Sequence, residues 1–564
     1  MRCRYRKLKC SRVEPCSNCS SLGEKCEYRE SDIKRRPASR IYVSCLEKRI
    51  AWLESLLIRV KEADPSDIAA ILSEANFDEH LNPQAGKNTA DSEASFVISR
   101  RPCLQIGSLQ TGSEGSLLYY GPTSIYHLSG VPTNDHSSRP VSSLIGSVSH
   151  DSLTSHVAQH FGISMREELV QNALLAFFNW QYPHFMFIYR EAFLRDHIKK
   201  HQSRKYWSAP LLFAVCALGL LMRTVHDERE ASERFFAAAE SLLLVSGFAH
   251  PCITTVQAFL CLAYYEIGRG NLSKGWGFSG IALRMAQDLG FQRDPRNWQL
   301  ADESLATPED MEIRRRIYWG CYISDKVISL IFGRPVVFHD DDSEVEPMEQ
   351  LPDLPQMAYW LSVGPESHGN GIGNTSLLIP SFRAQIGLAR IIQRMLAQLY
   401  AAKQNPEGFR REACINVLNL ELSRWESALD ETLKWSKWQP NSTPLVPNVA
   451  ALHVIFHSLR IVLNLEAVDM AASPSDRNGS KAVCRSSAED IIAILRKYQS
   501  QHGLRYAPLT FVYGAARAAQ VVGLFGIPKE WSYLLQVLDA CSQAWTLARD
   551  VKGKLLGWYN SNMH

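Results

Sequence analysis

The chain has 564 residues, of which 46% are hydrophobic, enough for one large domain with smaller attachments. Residues 1–40 carry twelve Lys and Arg against five Asp and Glu, a balance of +7, so the net charge of +3 leaves −4 for the remainder. This asymmetry indicates nucleic acid as the partner of the N-terminal end alone. The longest uncharged apolar run, 209–222, has 14 residues, whereas a bilayer takes roughly 20, so we expect no membrane partner.

Five cysteines surround a basic run at the N-terminus. Six residues separate Cys3 from Cys10, five separate Cys10 from Cys16, two separate Cys16 from Cys19, and six separate Cys19 from Cys26. Thiolates suit zinc, and a C-x-x-C pair can hold one ion from a single tight loop. A disulfide framework is the alternative, but it is typical of secreted chains, and this basic, polar end shows no apolar leader. The spacing therefore favours zinc.

This segment resembles the fungal Zn2Cys6 (binuclear zinc cluster) family, whose pattern is C-x2-C-x6-C-x5–12-C-x2-C-x6–8-C. Cys3 matches the second ligand of that pattern, Cys10 the third, Cys16 the fourth, Cys19 the fifth and Cys26 the sixth. The resemblance implies two structural zinc ions that share six thiolates. The first cysteine of the pattern would precede the first residue of the chain, and we expect a longer N-terminus to supply it.

The basic residues beside these cysteines carry the predicted DNA contacts. By the resemblance, Arg6 and Lys7 match positions that reach base edges, where such side chains favour guanine in the major groove. Arg4, Lys9 and Arg12 are expected on phosphates, where they set register and salt dependence. The family reads CGG-type triplets, usually as two half-sites, so the resemblance implies double-stranded DNA as the partner and the nucleus as the location.

A basic linker and a short helix follow. The run Lys34-Arg35-Arg36 reads either as part of a solvated linker or as a nuclear import signal. Six apolar residues then recur in alternating steps of three and four, the period of a coiled-coil seam: Val43, Leu46, Ile50, Leu53, Leu57 and Val60. So short a seam leaves an amphipathic helix packed on the body as the alternative. Its position after a zinc module favours dimerisation, and the resemblance implies a homodimer.

The stretch 62–154 lacks this periodicity. Ser, Gly, Asn, Asp and Pro dominate it, which predicts a largely disordered connector. An aromatic, β-branched island, GSLLYYGPTSIYHL at 115–128, interrupts it. We expect the island to dock on the body as an extended piece, with a lone strand that has no partner as the alternative.

Beyond residue 155 the pattern is helical almost throughout, so the predicted fold class is mainly α, with a large all-helical regulatory domain. A dense aromatic stretch near its start is broken at Pro183, and core packing between two helices is favoured there over a ligand pocket. Its members are Phe177, Trp180, Tyr182, Phe185, Phe187, Tyr189 and Phe193. The predicted domain order is a DNA-binding module at 1–30, a basic linker at 31–42, a coiled coil at 43–61, a connector at 62–154 and the regulatory domain at 155–564.

A second resemblance lies in 251–347, which is similar to the middle homology region of fungal zinc-cluster regulators. Glycines there predict a helix–turn–helix pair whose backbones approach closely: Gly268, Gly270, Gly275, Gly277 and Gly280. A small-residue face follows on the second helix at Ala282, Met285, Ala286 and Leu289. The basic triplet Arg314–Arg316 reads as a solvated helix face, with buried ion pairing, for instance to Asp288, and a binding role as alternatives.

The sequence contains no H-E-x-x-H, no nucleophile elbow and no G-x-G-x-x-G after a strand, so we expect no enzyme. The resemblance implies a sequence-specific, zinc-dependent regulator of RNA polymerase II transcription, serving a metabolic or secondary-metabolite gene cluster. A small-molecule effector, a partner or intramolecular masking would then gate it through the helical domain. The alternatives are a DNA-binding-deficient interaction protein that dimerises with another regulator, and a helical metabolite receptor with a vestigial head.

Overall fold

A computed structural model gives the arrangement of the chain, which divides into two compact units, 1–101 and 102–564. Apart from Ser21, every residue that the structure describes belongs to the second unit. These residues are 108–111, 117–120, 150–163, 167–184, 186–198, 205–223, 226–248, 251–294, 307–346, 377–401, 408–439, 443–470, 473–526 and 528–563.

Fifteen α-helices make up most of this described part, which confirms the mainly α fold class. In chain order they are α1 (His150–His160), α2 (Glu167–Trp180), α3 (Arg190–Ile198), α4 (Ala209–Leu221), α5 (His226–Leu242), α6 (Ile253–Arg269), α7 (Leu272–Asp288), α8 (Pro308–Phe332), α9 (Leu378–Leu399), α10 (Gly408–Ser427), α11 (Pro447–Met470), α12 (Pro474–Gln501), α13 (Leu509–Phe525), α14 (Pro528–Cys541) and α15 (Leu547–Met563).

Two short strands precede the helices. β1 (Ser108–Thr111) and β2 (Leu117–Tyr120) pair in antiparallel orientation. β2 packs on α7, and the guanidinium carbon of Arg293 lies 4.9 Å from the centre of the Tyr119 ring. The hairpin is thereby attached to the helical body.

The hairpin bears on two predictions. The island at 115–128 is extended and docked over its described residues, but it has a partner strand, so the alternative of a lone strand is wrong. Both strands, and the first residues of α1, also fall inside 62–154, where the sequence predicted little regular structure. Strands of four residues are too short to show a period of two, and their pairing is what stabilises them.

The larger of two hydrophobic cores surrounds α4, the helix formed by the longest apolar run. Every residue from Leu211 to Leu221 is buried, as expected of a helix that is apolar on all faces. Ser208 caps its N-terminus by accepting a hydrogen bond from the backbone N–H of Leu211 at 3.4 Å. A Cβ placed on Gly219 would lie 2.0 Å from the carbonyl oxygen of Ala173, so glycine is what lets α4 meet α2 backbone to backbone.

The aromatic stretch near Pro183 belongs to this core, which confirms the favoured prediction. α2 ends at Trp180, whose half-buried ring stacks on Tyr506 with centres 4.5 Å apart. The other described members are all buried: Phe177, Tyr182, Phe187, Tyr189 and Phe193. Phe185 lies outside the described residues.

The second core lies among α9, α10 and α11. α11 is long and apolar enough to cross a membrane by length and composition, but 83% of its most apolar window is buried inside the protein. Packing against its neighbours accounts for its composition, and no other helix of the described residues meets both criteria.

α8 connects the two cores, since Ile313 packs in the larger and Leu330 in the smaller. A capping box starts it: Thr307 Oγ1 accepts from the backbone N–H of Asp310 at 3.2 Å, and the Asp310 carboxylate accepts from the Thr307 N–H at 3.0 Å. Gly333, with φ at 63°, ends it in the left-handed conformation that glycine adopts readily. The capping box and Gly333 therefore define where α8 begins and ends.

Candidate ligand cleft in the helical domain

The residues predicted to bind metal, DNA and the partner chain all lie outside the described residues. They are the zinc ligands Cys3, Cys10, Cys16, Cys19 and Cys26, the DNA contacts Arg4, Arg6, Lys7, Lys9 and Arg12, and the seam residues Val43, Leu46, Ile50, Leu53, Leu57 and Val60. Among the residues that the structure does describe, no cluster of three His, Cys, Asp or Glu side chains could hold a metal ion. The geometry available is therefore that of the helical domain.

The glycine-rich pair of the middle homology region is the hairpin of α6 and α7. Gly270, with φ at 87°, makes the turn, and a Cβ on Gly275 would lie 2.6 Å from Ile267 Cγ1. The turn is thus confirmed at Gly270, and the close approach of the two helices is confirmed at Gly275. It is wrong for Gly277 and Gly280, which have nothing within 4 Å of an added Cβ. The predicted small-residue face of α7 is confirmed, with Ala282, Ala286 and Leu289 buried and Met285 partly buried against the core.

The basic triplet Arg314–Arg316 is buried, so the favoured prediction of a solvated face is wrong. Arg315 donates to Asp294 Oδ1 at 3.0 Å and to Glu312 Oε2 at 3.1 Å, which is the buried ion pairing considered as an alternative. Asp288 is exposed and forms no ion pair with any described residue. Consecutive residues point about 100° apart around a helix, so three buried arginines mean that this part of α8 is covered on most sides.

The outer two arginines of the triplet lie over aromatic rings. The guanidinium of Arg314 is 5.5 Å from the ring centre of Phe291, and burial lowers the pKa of Arg314 to about 10, which leaves the group charged at neutral pH. The guanidinium of Arg316 is 5.0 Å from the ring centre of Tyr189. Such contacts stabilise desolvated cations. They attach α8 to the turn after α7 and to the start of α3, which makes the triplet structural.

A second buried pair anchors the chain that follows α8. The Asp325 carboxylate accepts from the backbone N–H groups of Val337 at 3.0 Å and Phe338 at 2.9 Å. Lys326 Nζ lies 2.8 Å from Asp325 Oδ2 and 4.0 Å from the ring centre of Tyr322. Burial lowers the pKa of Lys326, and Asp325 opposes that shift. Because Asp325 and Lys326 pair with each other, and Asp325 also binds the backbone of Val337 and Phe338, the two residues hold the loop after α8 in place.

A small internal cavity of about 40 Å³ is lined by residues of both cores. Neither ring nitrogen of His184 nor Oγ1 of Thr510 has a hydrogen-bond partner among the described residues. Burial lowers the pKa of His184 to about 3, so the imidazole is neutral. At roughly 10–15 Å³ for each water molecule, the cavity holds only a few waters. It is too small for a metabolite.

A much larger cleft, of about 840 Å³, opens where four segments of the helical domain meet. Its size lies in the range of small-molecule pockets, roughly 300–1,000 Å³. The segments are the turn between α6 and α7, the C-terminal end of α8, and the helices α13 and α15. Apolar side chains form most of the lining: Leu272, Ile331, Phe332, Leu509, Val512, Ala516, Leu547, Val551, Leu555 and Trp558.

α13 and α15 run in the same direction along this cleft. Near the start of both helices, Trp545 Nε1 donates to the carbonyl oxygen of Ala507 at 2.8 Å. Near their ends, a Cβ on Gly523 would lie 3.0 Å from the ring of Trp558. Counting back from that contact at about 1.5 Å per residue brings Arg517 of α13 and Lys554 of α15 within about 3 Å of the same level along the helices.

Positive charge predominates in the cleft, whose charged lining residues are Arg517, Arg549, Asp550 and Lys554. Arg517 Nη1 donates to the neutral Gln520 Oε1 at 3.2 Å, and its guanidinium lies 5.0 Å from the ring centre of Tyr513. None of the three cations forms an ion pair with a described residue. Three cations and one carboxylate leave a net charge of +2 in a mainly apolar concavity.

No sequence pattern predicted this cleft. Its lining comes from four segments, 270–272, 331–332, 509–520 and 547–558, of which the first and last are more than 250 residues apart. The sequence placed these segments only within the predicted domain at 155–564. The one available signal was a face of α13 that changes from apolar to polar along its length, and many solvent-facing helices share that pattern.

Comparisons with known proteins bear on the same chain. Residues 1–35 match the model of the fungal Zn(2)-Cys(6) binuclear cluster domain, and residues 174–427 match that of the fungal specific transcription factor domain. A transcriptional regulatory protein of Schizosaccharomyces pombe is 30% identical over 97% of this chain and 83% of its own length. The chain belongs to the fungal Zn2Cys6 transcription factor family.

Two further relatives of this Zn2Cys6 regulator carry functional names. The activatory protein CHA4 of Saccharomyces cerevisiae is 27% identical over 82% of this chain and 72% of its own length. The nitrogen assimilation transcription factor nit-4 of Neurospora crassa is 24% identical over 98% of this chain and 53% of its own length. Family and relatives together identify a transcriptional regulator with a zinc-cluster DNA-binding domain, and not an enzyme.

Membership of the Zn2Cys6 family implies two zinc ions. The donor set fits them, because five cysteines stand at the family spacing and thiolates are the ligands that structural zinc prefers. When bound, the ions supply the folding energy of a module that is too small to have much core of its own. The position of the first ligand in the family pattern falls before Met1, the first residue of this sequence.

Proposed function

We propose that this regulator acts in the nucleus as a homodimer that reads CGG-type half-sites, and that a small-molecule effector bound by the helical domain gates it. The observation that supports DNA reading is the basic run between Cys3 and Cys16, set within the zinc-ligand pattern. Arg6 and Lys7 contact guanine edges, whereas the other basic residues of the run contact phosphates. The name of the nitrogen-assimilation relative supports metabolic genes as targets.

Substitutions within the basic run test these roles. Lys7→Ala should lose roughly 1–3 kcal/mol of discrimination at one guanine, because it removes a base contact. Arg4→Ala should weaken binding to all sequences alike and lower the salt slope by about one, because it removes a phosphate contact. Fluorescence anisotropy of the full chain on paired CGG half-sites and on scrambled duplex measures both. Equal losses on the two duplexes for both variants would refute the assignment.

Dimerisation is tested at the predicted seam. Leu53→Glu places a charge on the seam, and it should produce monomers that bind a single half-site but no longer select paired ones. Ser55→Glu, two residues away on the outer face of the same predicted helix, is the matched control and should leave the dimer intact. Sedimentation velocity reports the mass, and a wild-type chain that sediments as a monomer contradicts the homodimer. A stable dimer that fails to bind DNA would instead support an interaction protein that acts on another regulator.

A further inference from the structure

We propose that the cleft between α13, α15 and the end of α8 binds an amphipathic organic anion, a molecule with an apolar body and one carboxylate or similar acidic group. The regulatory meaning of this site rests on the proposed function, whereas binding itself does not. Size, lining and charge each support the proposal independently. They also distinguish the cleft from the small cavity beside His184 and from the buried arginines of α8.

The volume selects a small molecule. At about 840 Å³ the cleft has room for a metabolite-sized ligand, whereas the internal cavity of about 40 Å³ does not. The buried arginines of α8 are unsuitable for binding a ligand, because carboxylates and aromatic rings already contact them. Arg315, for example, lies 3.0 Å from Asp294. Of these two concavities, the cleft is therefore the one that can admit an effector.

The walls define the body of the ligand. Ile331, Phe332, Val512 and Leu555 line the cleft from three different helices, so an apolar body would lose water on several sides at once. Trp558 adds a broad ring surface near the ends of α13 and α15. A fully polar ligand has no apolar surface to bury against this lining, so the lining would not stabilise its binding.

The cations define the acidic group. Arg517 and Lys554 come from different helices but lie at nearly the same level, and neither forms an ion pair with a described residue. A carboxylate between them would make charge-assisted hydrogen bonds, which are about twice as strong as neutral ones. Asp550 lies one turn before Lys554 on α15, about 6 Å away along the helix, and its Oδ2 is 2.7 Å from the place of a Cβ on Gly270. A cationic ligand would meet a net charge of +2 and be repelled.

A matched set of probes tests the proposal on the purified full chain by isothermal titration calorimetry. Naphthalene-1-acetate, naphthalene-1-acetamide and 1-naphthylethylammonium share one apolar body and differ in charge. The acetate should bind at least about tenfold more tightly than the amide, and the ammonium should bind least. Equal affinities, or no saturable binding of the acetate below about 1 mM, would overturn the proposal.

Substitutions locate the site. Arg517→Gln and Lys554→Gln should each weaken acetate binding about fivefold or more while leaving amide binding unchanged. The control is Lys552→Gln, which removes a cation of α15 that pairs with Asp539 at 2.6 Å and does not line the cleft. Equal effects of all three substitutions would place binding elsewhere. A change in oligomeric mass on Lys554→Gln, without loss of acetate binding, would make the cleft a subunit contact and overturn the proposal.

DNA binding measured on the same samples separates this proposal from the proposed function. Acetate binding with no effect on DNA affinity or transcription would leave the ligand site valid and refute its gating role. DNA binding without any acetate binding would leave the regulator valid and refute the ligand site. Failure of the ligand site and failure of the proposed function therefore give different results in these measurements.

Discussion

Removing Asp294 should destabilise the helical domain strongly, because it deprives the buried Arg315 of one of its two acidic partners. The side chains of this pair are 9% exposed for Arg315 and 3% for Asp294, and their charged atoms are 3.0 Å apart. Leaving a buried charge uncompensated typically costs about 3–5 kcal/mol. Glu312 remains at 3.1 Å from Arg315, so we expect Asp294→Ala to lower the free energy of unfolding by about 3 kcal/mol. That is a large part of the roughly 5–15 kcal/mol that stabilises a typical domain.

An exposed pair provides the control. Lys434 and Glu431 lie 2.6 Å apart, but their side chains are 39% and 87% exposed. Glu431→Ala should therefore change the free energy of unfolding by about 0–1 kcal/mol. Asp294→Asn keeps a hydrogen-bond acceptor for the guanidinium without the charge, so it should fall between the two alanine variants.

Urea unfolding of the full chain, followed by far-UV circular dichroism, measures all three variants at neutral pH. From most to least stable, we expect the order wild type, Glu431→Ala, Asp294→Asn, Asp294→Ala. If Asp294→Ala costs no more than Glu431→Ala, then Arg315 is either hydrated or satisfied by other groups, and the structural role assigned to the triplet of α8 is wrong.

Two further predictions concern stability. Gly275→Ala should lower the free energy of unfolding by about 1–3 kcal/mol, because the new Cβ would lie 2.6 Å from Ile267. Gly277→Ala, in open space on the same helix, should raise it by about 0.5–1 kcal/mol. Thermal unfolding compares the two variants, and equal effects would contradict the close approach at Gly275. The pKa of His184 is about 3 in the folded chain and about 6.5 when unfolded, so the unfolded state takes up the proton first and stability falls as pH falls below 6.5. By pH 5 this group should lower the free energy of unfolding by about 2 kcal/mol. Urea unfolding at pH 6.5 and at pH 5 should therefore show a larger loss of stability for wild type than for His184→Gln. Equal losses for the two proteins would refute the prediction.

Helical periodicity made the fold class predictable. The apolar run of α4 and the aromatic residues around Pro183 indicated a core, and both are buried. These predictions succeeded because burial of apolar surface is decided by composition and spacing within one segment. The turn at Gly270 was predictable for a similar local reason, since a positive φ there favours glycine.

The burial of charged residues was not predictable from the pattern within one segment. The triplet Arg314–Arg316 was predicted to be solvated because a basic triplet usually forms a solvated helix face, yet Asp294, Phe291 and Tyr189 hold these side chains inside the protein. All three partners come from other elements of the chain. The pairing of β1 with β2 was missed for the same reason, because a four-residue strand becomes recognisable only through its partner.

The sequence by itself determined the family, the two zinc ions that the family implies and the mainly helical body, because each depends on residue types at short, fixed spacings. Tertiary structure alone decided which charges are buried and where a ligand can bind. The cleft unites the turn at Gly270 with Phe332, Arg517 and Lys554, and only folding brings them together. A motif can be recognised in sequence when its chemistry is local, whereas a concavity exists only once distant helices have packed.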